Sequence, residues 1–337
     1  MKKNILVLLS MGLLLFLQGC NFANPMNYFK SADSSRLEET SEEASTEEET
    51  TKASTSSVIN TNETSATSEG ETTESTEAEV NTESSLLVYS IGNAVNTESN
   101  SLTLEDKNYS VNYANYDISN ANALETADLI KIETAINENL ASNNYVIVVT
   151  STQTCEELSY FLNLTLSSEN KIAVISTEIL DNKYALVDSD IQNYLGQLTT
   201  SELSGNILTA KIGDSLENVS TNPVSNENKI DITDLKDLSY VSIVYDYLGN
   251  DGSILEKAIS NSDGIILVTT NKSGEVSETA NEIINSNYSG VPVIIVSANE
   301  NTDLSNYHTP TQSRILLSLA LAKGANMDEI KDYFTTY

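Results

Sequence analysis

From Leu86 onward the chain predicts an α/β protein built on parallel strands, and two observations carry that reading. Short runs of β-branched and apolar residues recur, each long enough for a buried strand and too short for a helix. Between them lie segments with apolar residues at helical spacing, in strand–helix–strand order. Chains that alternate in this way lay their strands in parallel and return through crossover helices.

Residues 86–90 read as the first strand. Residues 144–150, Asn-Tyr-Val-Ile-Val-Val-Thr, are a β-branched run and read as the next. A helix is expected over 155–166. Thr152 or Thr154 is placed to cap it, and Glu156 and Glu157 sit in the first turn, where the helix dipole favours acids. Residues 171–176 form another strand. Residues 220–235 are polar and irregular (Ser220-Thr221-Asn222-Pro223, then Asn226-Glu227-Asn228), which suggests an interdomain linker. Three further strands are expected at 240–245, 264–269 and 291–296, with helices at 253–260 and 276–285 between them. Helices at 312–321 and 327–334 close the chain. The folded body is thus expected as an N-terminal domain (86–219), a linker (220–235) and a C-terminal domain (236–337).

What precedes the body is different. Lys2 and Lys3 open a leader whose residues 5–17 are apolar, a secretory pattern too short and wrongly flanked for a spanning helix. It closes on Leu17-Gln18-Gly19-Cys20, which resembles the bacterial lipobox, in which the cysteine becomes the first mature residue and carries lipid. The alternative is an ordinary signal peptide with an accidental cysteine. On the lipobox reading residues 1–19 are a signal peptide and residues 20–85 are anchor and stalk. Cys20 then tethers the protein to the outer, extracytoplasmic face of a cell membrane. Acyl chains contribute about 0.8 kcal/mol per buried methylene, so a multiply acylated cysteine holds firmly. Residues 31–85 carry fifteen acidic side chains against two basic ones and few large apolar groups. Such a segment buries too little surface to offset its ordering entropy, so a disordered, self-repelling tether with a span of about 40 Å is expected.

Composition narrows the function. The chain has 337 residues and a formal net charge of -32, from 49 acidic and 17 basic side chains. Nucleic acid is a poor partner for such a surface, and anionic lipid head groups repel it, so membrane contact should run through the lipid alone. One histidine, His308, and no D-x-D-x-D-G loop argue against a metal site, and no cofactor is implied. With Cys20 acylated, Cys155 stands alone and no internal disulfide can form.

Several stretches then match one family. Val148-Val149-Thr150-Ser151-Thr152-Gln153-Thr154-Cys155-Glu156-Glu157-Leu158-Ser159-Tyr160-Phe161-Leu162 resembles the H-G-T-D-T-M-E-E-T-A-Y-F-L stretch of bacterial type II L-asparaginases, which there follows an apolar strand. Val241-Ser242-Ile243-Val244-Tyr245-Asp246-Tyr247 resembles that family's V-G-I-V-Y-N-Y, and Ser262-Asp263-Gly264-Ile265-Ile266 its Y-D-G-I-V. Arg314-Ile315-Leu316-Leu317-Ser318-Leu319-Ala320-Leu321 is similar to A-R-V-L-L-Q-L-A-L, and the closing Ile330 to Tyr337 to I-x-x-x-F-x-x-Y. The resemblance covers 86–337 and implies a larger N-terminal domain on a mostly parallel sheet, a smaller C-terminal parallel-sheet domain, and a homodimer at minimum. It also implies a hydroxyl nucleophile at the end of the first strand, supported by a second Thr, an Asp and a Lys.

The site positions depart from that pattern. The family's A-T-G-G-T-I-A is Val88-Tyr89-Ser90-Ile91-Gly92-Asn93-Ala94 here, in either of two registers. One register puts Tyr89 at the nucleophile; the other puts Ser90 there. A strand-end serine also bonds its own turn readily, which is the plainer role for Ser90. Thr152 keeps the second hydroxyl, although a helix cap alone would account for it. Gln153 replaces the Asp that contacts the substrate ammonium, and a neutral amide cannot make that charge-assisted bond. Ala114-Asn115-Tyr116-Asp117 replaces G-S-Q-D, so Asn115 stands for the substrate-contacting Ser while Asp117 is kept. The supporting lysine has no counterpart in its loop; Lys211 lies nearby, on an apolar strand pattern. Without a cation near Thr152 its hydroxyl stays very weakly acidic. The reading is a surface lipoprotein whose body has lost catalysis and binds, with a small amino-acid-like molecule as a candidate ligand. The alternative is an extracytoplasmic asparaginase- or glutaminase-type amidohydrolase that releases ammonia through Ser90 and Thr152.

Overall fold

The computed structural model describes residues 84–337 apart from 93, 96, 98, 179–185, 222, 272 and 299–307; the expected signal peptide, Cys20 anchor and nearly all of the stalk lie outside the described residues. Apolar alternation within the strands sets the architecture. In β1 (Ser84–Ile91), Leu87, Tyr89 and Ile91 enter one apolar cluster, while Leu86 and Val88 enter another. In β4 (Tyr145–Ser151) and β5 (Ile172–Thr177) the side chains divide in the same way. Strands buried on both faces belong in a parallel sheet with helices above and below.

That sheet has seven strands in the order β2-β3-β1-β4-β5-β6-β7, with β2 at Ser101–Leu104, β3 at Lys107–Tyr116, β6 at Ile207–Lys211 and β7 at Glu217–Asn218. The inner pairs are parallel, and the outermost strands β2 and β7 pair antiparallel. Helices α1 (Thr126–Leu140) and α2 (Cys155–Thr165) cover the Leu87 face. Helix α3 (Asp188–Thr200) covers the Leu86 face through Ile191, Tyr194, Leu195 and Leu198. The steps β4–α2–β5 and β5–α3–β6 run the same way along the sheet, yet their helices lie on opposite faces. One of the two crossovers therefore has the left-handed sense that parallel connections rarely take.

The smaller sheet holds β8 (Val241–Asp246), β9 (Gly264–Thr269) and β10 (Val293–Ser297) in the order β10-β9-β8, all parallel. Leu255 of α4 (Ser253–Asn261) and Ala280 of α5 (Glu278–Asn285) cover one face. Leu317 and Ala320 of α6 (Pro310–Ala322) and Ile330 of α7 (Met327–Thr336) cover the other. Helix α6 also sends Ile315, Leu316 and Leu319 into the core of the larger sheet. A helix buried from two sides must be apolar all round, and that explains its Ile-Leu-Leu-Ser-Leu-Ala run. A larger mostly parallel sheet and a smaller parallel one make the α/β architecture that the sequence implied.

Some elements escaped the sequence pattern. The β2–β3 hairpin turns on Glu105 and Asp106, both at positive φ (48° and 64°), without the glycine that usually marks such a turn. Strand β3 is masked by polarity, because Asn108, Asn112, Tyr113 and Asn115 are exposed. Ala114, Asn115 and Tyr116 are its last three residues. The N-cap position of α2 falls to Thr154 rather than Thr152. Segment 220–235 is partly core: Ile230 and Ile232 are buried against the larger sheet, and the Ile230 N–H donates to the Leu164 carbonyl at 2.8 Å.

Candidate functional site

In a parallel sheet the C-terminal edges of the strands open onto loops and helix N-termini, and ligands gather there. Strands β1 and β4 are neighbours, and Ser90 pairs in register with Val149. Ser90 therefore lies near the end of one strand and Thr152 just past the end of the next. They share an edge but not a pocket. Ser90 and Asn115, which also face each other in register, line a cavity of about 220 Å³ with Thr97 and Tyr113. Thr152 lines a cleft of about 610 Å³ together with Cys155, Ser176, Thr209, Lys211 and Asp214.

The strand pleat explains this separation. Ser90 follows Leu86 and Val88 toward the face covered by α3, whereas Cys155 belongs to the cluster on the other face. Tyr89 has that second orientation as well. It is buried among Leu87, Ile91 and the helices, and burial, with Tyr116 nearby, raises its phenol above the usual range. Tyr89 lines neither cavity.

Ser90 is 7 % exposed, and its Oγ accepts the Ala94 N–H at 2.8 Å. Among the described residues no carboxylate, imidazole or ammonium is hydrogen-bonded to that hydroxyl. Gly92 makes the turn between them at φ +70°, where an added Cβ would meet the Ala121 nitrogen and the Ile118 carbonyl at 3.1 Å. Thr152 and Gln153 are exposed, and the Thr152 hydroxyl makes no hydrogen bond among the described residues. The neighbouring hydroxyls instead bond one another: Thr154 Oγ1 lies 2.8 Å from Thr150 Oγ1 and 2.9 Å from Ser151 Oγ. Asp117 is exposed just beyond β3 and lines neither cavity.

The floor of the cleft carries a thiol. Cys155 Sγ is buried, 3.4 Å from Thr209 Oγ1 and 3.8 Å from the Val174 carbonyl. Burial pushes the thiol pKa up against the opposing pull of the Thr209 and Ser176 hydroxyls, so it stays protonated and weakly nucleophilic at neutral pH. Lys211 is the last residue of β6, and its carbonyl accepts from Tyr194 Oη at 2.9 Å. Lys211 and Asp214 both line the cleft that holds Thr152. Sequence reasoning left Lys211 aside as a strand residue. The missed signal was its place at the strand's end, which in a parallel sheet is the functional edge. Glu156, which lines the cleft, accepts from Thr309 Oγ1 at 2.5 Å, and Gln312 Nε2 donates to the Val219 carbonyl at 3.1 Å.

Among the described residues no three His, Cys, Asp or Glu side chains are grouped to hold a metal ion. None of the described helices is long and apolar enough to cross a membrane. The edge therefore offers separate hydroxyls, one ammonium and several carboxylates, a set suited to holding a small polar molecule.

No family model matches the chain. It is 27 % identical over 305 residues to L-asparaginase 2-3 of Saccharomyces cerevisiae, covering 73 % of this chain and 83 % of that protein. It is 28 % identical over 262 residues to L-asparaginase 2 of Bacillus subtilis, covering 62 % and 69 %. Among solved structures it is similar to a probable cytoplasmic L-asparaginase from Campylobacter jejuni, with a TM-score of 0.62 and 18 % identity over 76 % of this chain and all of that one. The sequence likeness supports an asparaginase-type body, and the structural likeness shows the fold.

Proposed function

We propose that this protein is a surface lipoprotein whose asparaginase-type body binds a small amino-acid-like ligand in the Thr152–Lys211 cleft without hydrolysing it. The observation that carries the reading is the state of the two candidate nucleophiles. Amide hydrolysis needs a hydroxyl activated by a base and donors aimed at the oxyanion. Ser90 Oγ accepts a backbone N–H and has no base bonded to it, and Thr152 has no partner at all among the described residues. The two also line different cavities. Gln153 removes the charged contact that would hold a substrate ammonium.

One observation favours the second reading, an extracytoplasmic asparaginase- or glutaminase-type amidohydrolase. Lys211 lines the cleft of Thr152, and an ammonium turned toward that hydroxyl would lower the cost of ionising it. Ammonia release from L-asparagine and L-glutamine by the mature chain, beside Ser90→Ala, Thr152→Ala and Lys211→Met variants, separates the two. Binding without release supports the first reading. Turnover lost in Thr152→Ala and Lys211→Met would establish the second. Anchoring rests on the Leu17-to-Cys20 sequence. A Cys20→Ser chain should leave the membrane fraction; one that stays there would refute the lipid tether.

A further inference from the structure

A cavity of about 430 Å³ opens between α1, the end of α2 and residues 226–235, and it shares no residue with the cleft of Thr152. Glu133 enters it from α1. The residue is 7 % exposed, and among the described residues its carboxyl makes no hydrogen bond and no ion pair. A buried carboxylate without a partner is costly and normally either neutralises or finds a cation. Burial, with Asp231 close by, pushes the Glu133 pKa up to about 7.

Lys229 lines the same cavity. It gives one ammonium hydrogen to the Asn163 carbonyl at 2.6 Å, which leaves two. Among the described residues the ion pairs do not include Glu133 with Lys229, so the opposite charges share a cavity without touching. The nearby threonine hydroxyls are already used: Thr134 donates to the Ile130 carbonyl and Thr165 to the Phe161 carbonyl. Asn137 and Ser167 add neutral polar groups to the lining, and the charged groups are the acceptor-only carboxylates of Glu133 and Asp231 and the donor-only ammonium of Lys229, in a volume that suits a small molecule. Water alone would meet the hydrogen bonds but not the charges.

We propose that this cavity is a second binding site, taking a small zwitterion whose ammonium faces Glu133 and whose carboxylate faces Lys229. Asp231, exposed at the rim, adds a second negative charge on the ammonium side.

The test is calorimetric titration of the full chain with β-alanine and 5-aminopentanoate, beside pentylamine and pentanoate as single-ended controls. It is run between pH 7 and 8, where Glu133 is ionised and Lys229, whose pKa burial lowers to about 8, still keeps its proton. At least one zwitterion should bind saturably at one site, with each single-ended control at least about tenfold weaker. Glu133→Gln and Lys229→Gln should each weaken binding by about tenfold or more, the equivalent of roughly 1.4 kcal/mol. Should a variant not fold, carbon-13 titration of Glu133 in the unaltered protein decides, because a bound ammonium must lower its pKa. The site is refuted if neither zwitterion binds, if a control binds equally well, if both variants bind unchanged, or if the Glu133 titration does not move. Since the two cavities share no residue, this outcome is independent of whether the cleft hydrolyses amides.

Discussion

The Ala94 N–H donates to Ser90 Oγ at 2.8 Å, which makes the strand-end hydroxyl the acceptor for its own turn. Ala94 is fully buried, so water cannot replace the bond. Ser90→Ala should therefore destabilise the fold by about 1–3 kcal/mol, the penalty of one orphaned buried donor. Urea unfolding reads this directly, and an unchanged midpoint would mean that the turn does not depend on the serine.

Gly92 occupies the same turn at φ +70°. A side chain there costs about 1–2 kcal/mol from backbone conformation alone, before its contacts with Ile118 and Ala121. Gly92→Ala is expected to lower the melting temperature at least as much as Ser90→Ala. A neutral effect would imply that the turn relaxes freely.

Arg314 on α6 donates from Nε and Nη2 to Glu157 Oε1 on α2, at 2.9 and 2.5 Å. The pair fastens the helix shared by both cores to the larger sheet's own layer, and its side chains are only 18 % and 27 % exposed. A double-mutant cycle with Arg314→Met and Glu157→Gln should give a coupling of about 1 kcal/mol, only partly lost at high salt because the pair is sheltered. Zero coupling would reduce the contact to packing.

Two buried groups should tilt stability with pH in opposite directions over overlapping windows, about 4 to 6.5 for His308 and 4.5 to 7 for Glu133, and so largely offset each other in the unaltered protein. Burial holds His308 at about 4, below its ordinary 6.5, so the unfolded chain binds that proton first. Its contribution is complete above about pH 6.5 and is lost as pH falls through 4, roughly 3 kcal/mol in all. Glu133 runs the other way. The folded chain holds its proton up to about pH 7 rather than 4.5, so stability is greatest below 4.5 and declines as pH rises through 7. Glu133→Gln should stabilise the protein at pH 8 and unmask the rise in stability that His308 supplies between about pH 4 and 6.5, and His308→Phe should unmask the decline that Glu133 supplies between 4.5 and 7. Unfolding curves across pH that keep their slopes in these variants would refute the assignments.

The strands over 264–269 and 145–151 were legible because their β-branched runs are local and nearly uninterrupted. The hairpin ending at Tyr116 was not, since β3 exposes alternate polar side chains that resemble a loop. Helix α1 was missed despite Leu129, Ile130, Ile132 and Ile136 on its buried side and a Glu125–Asp128 capping box at its start. Both signals are local and present in the sequence.

The sequence by itself determined the fold class, the order of most elements and the candidate hydroxyls, because each depends on periodicity within a few residues of chain. Tertiary structure alone decided which side chains meet. The pleat sends Ser90 to one face of the larger sheet, while α2 packs Cys155 on the other. Parallel pairing carries Lys211 to the edge that Thr152 occupies, and the packing of 226–235 against α1 brings Lys229 into the cavity of Glu133. Those pairings join residues 59 to 96 positions apart in the chain, a separation over which local periodicity carries no information.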